Sequence, residues 1–302
     1  MASGLVLIDK PAGFTSHDVV AKLRGIAGTR RVGHAGTLDP MATGLLLIGI
    51  NSATKLLTFL VGENKTYLAT IRLGASTITD DKESDFLTVA NASDVAATTD
   101  EQIESAIAQL RGKIMQVPSS VSAIKVDGQR AYAKVRGGDE VKLAARPITI
   151  HKFEILNSPT RVVDGENSFI DLQVEVDCSS GTYIRALARD LGVALGLGGH
   201  LTSLRRTKIG SYTIDQAQSL VGLTSEALAV LPIEQAATQQ FEVRTLAAQE
   251  VIDIRHGKKL TVANESDLPV AALDENGKLV AMLAKHGSSV KSLVVFAEGK
   301  DD

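Results

Sequence analysis

A single cysteine, Cys178, serves 302 residues. No disulfide framework can form within such a chain, and the composition fits a reducing compartment. Long apolar runs are missing too. The longest, GLLLIGI at 44–50, falls far short of the roughly 20 residues that span a bilayer. The start, MASGLVLIDKPAG, has neither a basic n-region nor a long apolar core, so no signal peptide is expected. The familiar catalytic templates are equally absent. No GxxxxGK[ST] phosphate loop occurs, and GLGGH at 196–200 is too incomplete for a dinucleotide fingerprint. Six scattered histidines and one cysteine give no zinc spacing. There is no GxSxG elbow, and no second acid lies near Asp39 to make a glycosidase-like pair. An enzyme built on this chain is expected to work with one acid and without a metal.

What is present describes a globular protein. Hydrophobic residues make up 44% and charged residues 22%, enough for a real core. The net charge of −3 argues, as an average, against a nucleic-acid partner. The average hides a pattern. Residues 75–105 hold eight acids and one lysine, residues 121–152 hold seven Lys/Arg against three acids, and residues 181–210 hold five against one. Basic stretches suit phosphate contacts, and they suit a solvated surface equally well.

Periodicity reads as mixed α/β. GLVLIDKPAG has the form of a buried strand ending in a Pro-Gly turn. A helix follows, with Ser16 as N-cap, Val19, Val20, Leu23 and Ile26 as its apolar stripe, and Gly28 as its stop. KTYLATIRLG (65–74) alternates like a strand, and 75–98 reads as a polar loop excursion. A second capped helix is expected in TDEQIESAIAQLRG, strands at 147–156 and 168–178, and a third helix in GTYIRALARDLGVALG. The Gln/Ala-rich stretch at 232–243 reads as a flexible joint, which places a domain boundary near 238. Beyond it a helix is expected at 247–256, then a hairpin turning at Asn276-Gly277.

GHAGTLDPMATG (33–44) sets Asp39 in a turn of small residues. Asp-Pro in a turn is usually only a turn, and the residues alone leave the catalytic and structural readings open.

The surrounding blocks carry a resemblance. GHAGTLDPMATGLL resembles the catalytic loop of the TruB family of tRNA pseudouridine synthases. DKPAGFTSHDVV, KTYLATIRLG, VPSSVSAIKVDGQRAYAKVRGG, CSSGTYIRALARDLG and LTSLRRTKIG resemble its other blocks, in family order over roughly 4–212. Residues 241–302 resemble the small PUA-like tail of the bacterial branch. Two features depart from the family pattern: KESDFL stands where a short Asp-x-x-Gly turn is usual, and the tail is poor in basic residues.

The resemblance implies an α+β fold with a largely antiparallel sheet, a catalytic domain over 1–238 and a PUA-like RNA-binding domain over 239–302. The tail is then expected to be separable: a chain cut after Ala237 should fold. It implies conversion of uridine 55 in the T loop of tRNA to pseudouridine in the cytoplasm, with no cofactor, membrane or obligate protein partner. Asp39 would act on the nucleoside, and Arg185 would keep it ionised, since an opposite charge lowers a carboxylate's pKa. On a helical wheel Arg185 falls beside the stripe of Ile184, Leu187, Ala188 and Leu191, so its head is expected to leave the packed face. Tyr67 would stack on the flipped base; stacking is worth on the order of 1–3 kcal/mol, comparable to the cost of flipping. Tyr183 and Leu204 would line the pocket and His34 would contact the RNA. Lys10 and Lys55 match basic positions, Lys10 as a support for the catalytic loop. Lys125, Arg130, Lys134 and Arg136 would meet phosphates on a segment, 114–146, that closes over the T loop. A non-catalytic tRNA-binding or folding chaperone using the same pocket is the alternative.

Overall fold

A computed structural model describes residues 3–119, 125–126, 129–130, 143–262 and 269–296. They divide into two compact units, one of residues 1–63 with 209–302 and one of residues 64–208.

The first unit begins with β1 (Gly4–Lys10), α1 (Ser16–Ala27), β2 (Val32–Ala35) and β3 (Thr43–Ile50), then a short 3-10 turn and the one-turn helix α2 (Leu57–Leu60). β1 runs antiparallel to β3 from Gly4↔Ile50 to Lys10↔Gly44, and β2 pairs with the last four residues of β3. The apolar run of β3 follows from burial on both faces. Leu45 and Leu47 join a core with Leu5, Leu7, Leu57 and Leu60. Leu46, Ile48 and Ile50 join another with Val6, Ile8, Val19 and Leu23. Alternation along a strand sends neighbours to opposite faces, so two cores require a continuous apolar sequence.

The cap of α1 is Thr15, not Ser16. The Thr15 hydroxyl accepts from the Asp18 N–H at 3.1 Å, and the Asp18 carboxylate accepts from the Thr15 N–H at 2.8 Å, a reciprocal capping box. Ser16 is thereby released into the core for another task. Gly28 closes the helix at φ 63°.

The second unit holds β4 (Lys65–Leu73), β5 (Ala75–Thr77), β6 (Phe86–Val89), α3 (Ala92–Ala97), α4 (Asp100–Gln109), β7 (Gly112–Gln116), β8 (Lys125–Val126), β9 (Gln129–Arg130), β10 (Arg146–Ile155), β11 (Thr160–Asp164), β12 (Asn167–Cys178), α5 (Ile184–Ala194) and β13 (Gly199–Ile209). Its sheet runs β13-β4-β12-β10-β7. β4 lies antiparallel to β12 from Lys65↔Cys178 to Leu73↔Ile170. The expected excursion at 75–98 is a β5–β6 hairpin followed by α3, which buries Val95. Its short, Ser/Thr-rich strands carry no clear alternation, so pairing rather than pattern defines them.

The chain then returns to the first unit with β14 (Tyr212–Thr213), β15 (Gln218–Ser219), β16 (Leu231–Pro232), α6 (Ile233–Gln240), β17 (Glu242–Thr245), α7 (Ala248–Arg255), β18 (Leu260–Thr261), β19 (Val270–Leu273), β20 (Leu279–His286) and β21 (Ser289–Val295). β17-β19-β20-β21-β18 form a separate five-stranded sheet. Gly257 stops α7 at φ 74°, and the β19–β20 turn places Gly277 at φ 76°.

The expected flexible joint is the helix α6. It buries Ile233, Ala236 and Ala237, and the Ala236 carbonyl accepts from the Tyr212 hydroxyl at 2.6 Å. α6 packs on β19 and β20. Ala271, Leu273, Leu279, Met282 and Phe296 of the tail lie in one core with Leu5, Leu57, Leu60 and Ile233. Residues 239–302 thus lie in the compact unit that also holds residues 1–63, and the C-terminal sheet shares its core with the N-terminal strands. Glutamine and alanine read as a linker by composition, whereas the small residues are there to let the helix approach the sheet.

Candidate active site

In the first unit the Asp39 loop joins β2 to β3. Gly36 and Gly44 flank it at φ 78° and 102°, in the left-handed region where side chains are strained. The Ala42 N–H donates to the Asp39 carbonyl at 3.1 Å, and the Gly13 N–H donates to the Pro40 carbonyl at 2.8 Å. Ser16, buried, accepts from the Leu38 N–H at 2.9 Å and lies 3.3 Å from the Leu38 carbonyl. Lys10 is 0% exposed. Its ammonium donates to the carbonyls of Phe14 (2.6 Å), Pro11 (3.0 Å) and Pro40 (3.3 Å). A buried ammonium is costly unless its protons are satisfied; here three carbonyls take them, two from the turn after β1 and one from the loop. The half-buried Asp39 therefore sits between two anchored neighbours, Leu38 and Pro40.

His34 lies half-buried on β2, with the exposed His17 ring edge-on at 5.5 Å. Lys55 is exposed at the end of the 3-10 turn and donates to the Val295 carbonyl at 3.3 Å, which ties this turn to β21.

In the second unit Tyr67 is buried on β4, in the row Lys65, Tyr67, Ala69, Ile71, Leu73 that shares one face. Leu204 is buried on β13. Tyr183 is the N-cap of α5 and half-buried; Arg185 is the helix's second residue. The head of Arg185 leaves the apolar stripe for polar partners and stays buried. The residue is 4% exposed. Its guanidinium donates to the Thr79 carbonyl at 2.8 Å and lies 3.7 Å from the buried Asp81 carboxylate. One turn on, Arg189 lies 3.3 Å from Asp80, donates to the Val117 carbonyl at 2.7 Å and grips Asp190 at 2.8–2.9 Å.

Burial raises the Asp80 carboxyl above its ordinary range, against the opposing charges of Arg189 and Arg185. Asp80 also takes φ 57°, uncommon for any residue but glycine. The Leu201 N–H donates to its carbonyl at 3.0 Å and helps to hold that turn. Sequence reasoning missed Asp80, Asp81, Arg189 and Gln116. The signal was the charge pattern: an acidic stretch at 75–105 and a basic one at 181–210 are complementary. Asp80 and Asp81 of the one pair with Arg189 and Arg185 of the other, while most of the remaining acids of 75–105 face solvent.

Burial pushes the Cys178 thiol up to about 12, so it is no nucleophile at neutral pH. β8 and β9 pair Lys125 with Arg130 through the backbone. Lys134 and Arg136 lie outside the described residues.

Residues 24–184 match the family description "TruB family pseudouridylate synthase (N terminal domain)". Residues 185–238 match "tRNA pseudouridylate synthase B C-terminal domain" and 241–297 match "tRNA Pseudouridine synthase II, C terminal". A protein of Paenarthrobacter aurescens named tRNA pseudouridine synthase B is 55% identical, over 99% of this chain and 96% of its own. A relative of the same name from Streptomyces coelicolor is 50% identical over 97% of each chain. Among solved structures, a chain of a Cbf5-Nop10-Gar1 complex aligns with a TM-score of 0.70 at 24% identity, over 97% of this chain and 85% of that one. A chain of an H/ACA RNP bound to a substrate RNA aligns at 0.69 and 23%, with the same coverage. These two share the fold.

Proposed function

Because the chain belongs to the TruB family of pseudouridylate synthases, we propose that it converts uridine 55 in the T loop of tRNA to pseudouridine, with Asp39 as the reacting carboxylate. The relatives' shared name, tRNA pseudouridine synthase B, supports tRNA as the substrate. The observation that carries the assignment to Asp39 is its seat. A lone acid is held on a loop braced by a fully buried lysine and a buried serine. Nothing in the core of a turn requires such bracing, whereas a group that must meet one atom of a nucleoside does.

The reaction breaks the bond from C1′ to N1 of the uracil, forms one from C1′ to C5, and moves the C5 proton to solvent while N1 gains one. It is an internal rearrangement, so atoms and charge balance without a second substrate. Asp39 serves the nucleoside as nucleophile or base. Tyr67 stacks on the extruded uracil, Tyr183 and Leu204 line its pocket, and Arg185 supplies the fixed positive charge. His34 contacts the RNA, Lys10 supports the loop, and Lys55 is a further basic position. Lys125, Arg130, Lys134 and Arg136 meet phosphates of the T arm, and residues 239–302 add contacts to the tRNA. No cofactor and no obligate protein partner enter this reading, and its place is the cytoplasm, where tRNA is found.

The test is Asp39→Asn on an unmodified T-arm stem-loop. Pseudouridine formation, read by mass spectrometry after chemical labelling under single-turnover conditions, should vanish. RNA affinity should stay within about tenfold, because contacts across the arm supply most of the binding. Retained turnover would remove the assignment.

A further inference from the structure

Helix α5 starts with Tyr183 as its N-cap, and Tyr183 offers no side-chain cap of its own. The first N–H groups of a helix lack partners within it, and a Ser, Thr, Asp or Asn oxygen usually supplies one. Gln116, the last residue of β7, reaches this helix start across 67 positions of sequence. The Tyr183 N–H donates to Gln116 Oε1 at 2.9 Å, and Gln116 Nε2 donates to the Tyr183 carbonyl at 3.1 Å. Both ends of one carboxamide therefore hold the peptide groups on either side of a single Cα. The side chain is buried, with the residue 2% exposed, so water cannot replace either bond. The next residue, Val117, gives its carbonyl to Arg189 one turn further along α5.

We infer that Gln116 is a positioning residue for the proposed reaction: by gripping Tyr183 on both sides it fixes the backbone from which Tyr183 and Arg185 project. The inference rests on the reading that these two side chains serve the substrate. Asp81 and the Thr79 carbonyl hold the far end of Arg185, while Gln116 holds its root. A residue needed only to fill space would require neither hydrogen bond. One needed only to end β7 would not have to bond both sides of Tyr183.

The experiment compares wild type, Gln116→Met and Gln116→Glu, each also combined with Arg185→Lys. Methionine keeps the length and removes both hydrogen bonds; glutamate keeps the acceptor and loses the donor. Single-turnover rate on the T-arm stem-loop, RNA Kd and Tm are measured for all six proteins. Gln116→Met should slow the reaction by about 10- to 100-fold, the scale that a misplacement of roughly 1 Å produces, with Kd nearly unchanged. Gln116→Glu should slow the reaction at least as much, because the buried carboxylate faces the Tyr183 carbonyl with no donor to offer. In the Arg185→Lys background Gln116→Met should slow the reaction little further, while its Tm shift stays the same, because groups that act through one another couple and independent ones add. Rate losses that multiply in the double variant, or a wild-type rate in Gln116→Met, would overturn the inference. If Gln116→Met does not fold, the same comparison with Gln116→Glu decides, and an unchanged rate there overturns it. A wild-type protein that leaves the stem-loop unmodified would remove the proposed function as well, so the two failures are distinguishable.

Discussion

Deleting residues 238–302 should unfold the rest of the first unit, although no block resembling the catalytic motifs would be lost. The deletion removes Leu273, Leu279, Met282 and Phe296 from a core they share with Leu5, Leu57, Leu60 and Ile233. It also strips β19 and β20 from α6 and cuts that helix within its second turn. A large apolar side chain moved from core to water loses about 1.5–3 kcal/mol. Uncovering three or four such partners costs on the order of 5–10 kcal/mol, comparable to the roughly 5–15 kcal/mol that holds a whole domain together. The lost Lys55 contact to Val295 and the Lys278–Glu234 pair at 3.5 Å are exposed and add little. The assay is a thermal melt by circular dichroism with size-exclusion chromatography, followed by single-turnover modification of the stem-loop. The truncated chain should aggregate or melt far below the full chain and lose activity on the isolated stem-loop. Phe296→Ala provides the graded version and should cost about 3–5 kcal/mol. A monomeric truncation that keeps the parent Tm would refute the reasoning and restore the tail as a separable module.

Three further outcomes are expected. Ser16→Ala removes the partner of the buried Leu38 N–H; stability should fall by about 1–3 kcal/mol and turnover should fall with it, read by urea denaturation beside single-turnover rates, and an unchanged rate would detach the brace from catalysis. Asp81→Ala removes one buried acid facing the Arg185 guanidinium, with Asp80 still nearby, so denaturation should show a loss of about 2–4 kcal/mol, below the full cost of an unpaired buried charge; a loss below about 1 kcal/mol, the range of exposed pairs, would mean that solvent reaches the pair. His200 is buried with Nδ1 2.9 Å from the Ala75 carbonyl, and burial lowers its pKa. The unfolded chain then takes up the proton first, so stability should be full above the ordinary histidine value of about 6.5 and decline as pH falls below it. His200→Gln should flatten that acid-side slope in melts taken between pH 7 and 5, and an identical slope in the variant would assign it to other groups.

The sequence by itself determined the elements whose signals are local. The period of β4 and the stripe and Gly28 stop of α1 follow from one-dimensional spacing, and the structure reproduces them. It also marked Asp39 as a candidate, because one acid in a glycine-flanked turn is written in adjacent residues, though only the family resemblance gives that acid a role. Only the tertiary structure decided what depends on partners far apart in the chain. Whether Thr15 or Ser16 caps α1 was decided by Leu38, which claims the serine. Whether 232–243 is a joint or a helix was decided by a sheet that begins afterwards and packs upon it. The acids of 75–105 and the arginines of 181–210 look like solvated surface when each stretch is read alone. Folding buries Asp80, Asp81 and Arg185 beside a half-buried Arg189, where each charge is offset by its opposite, so their pairing was fixed by burial that no local pattern records.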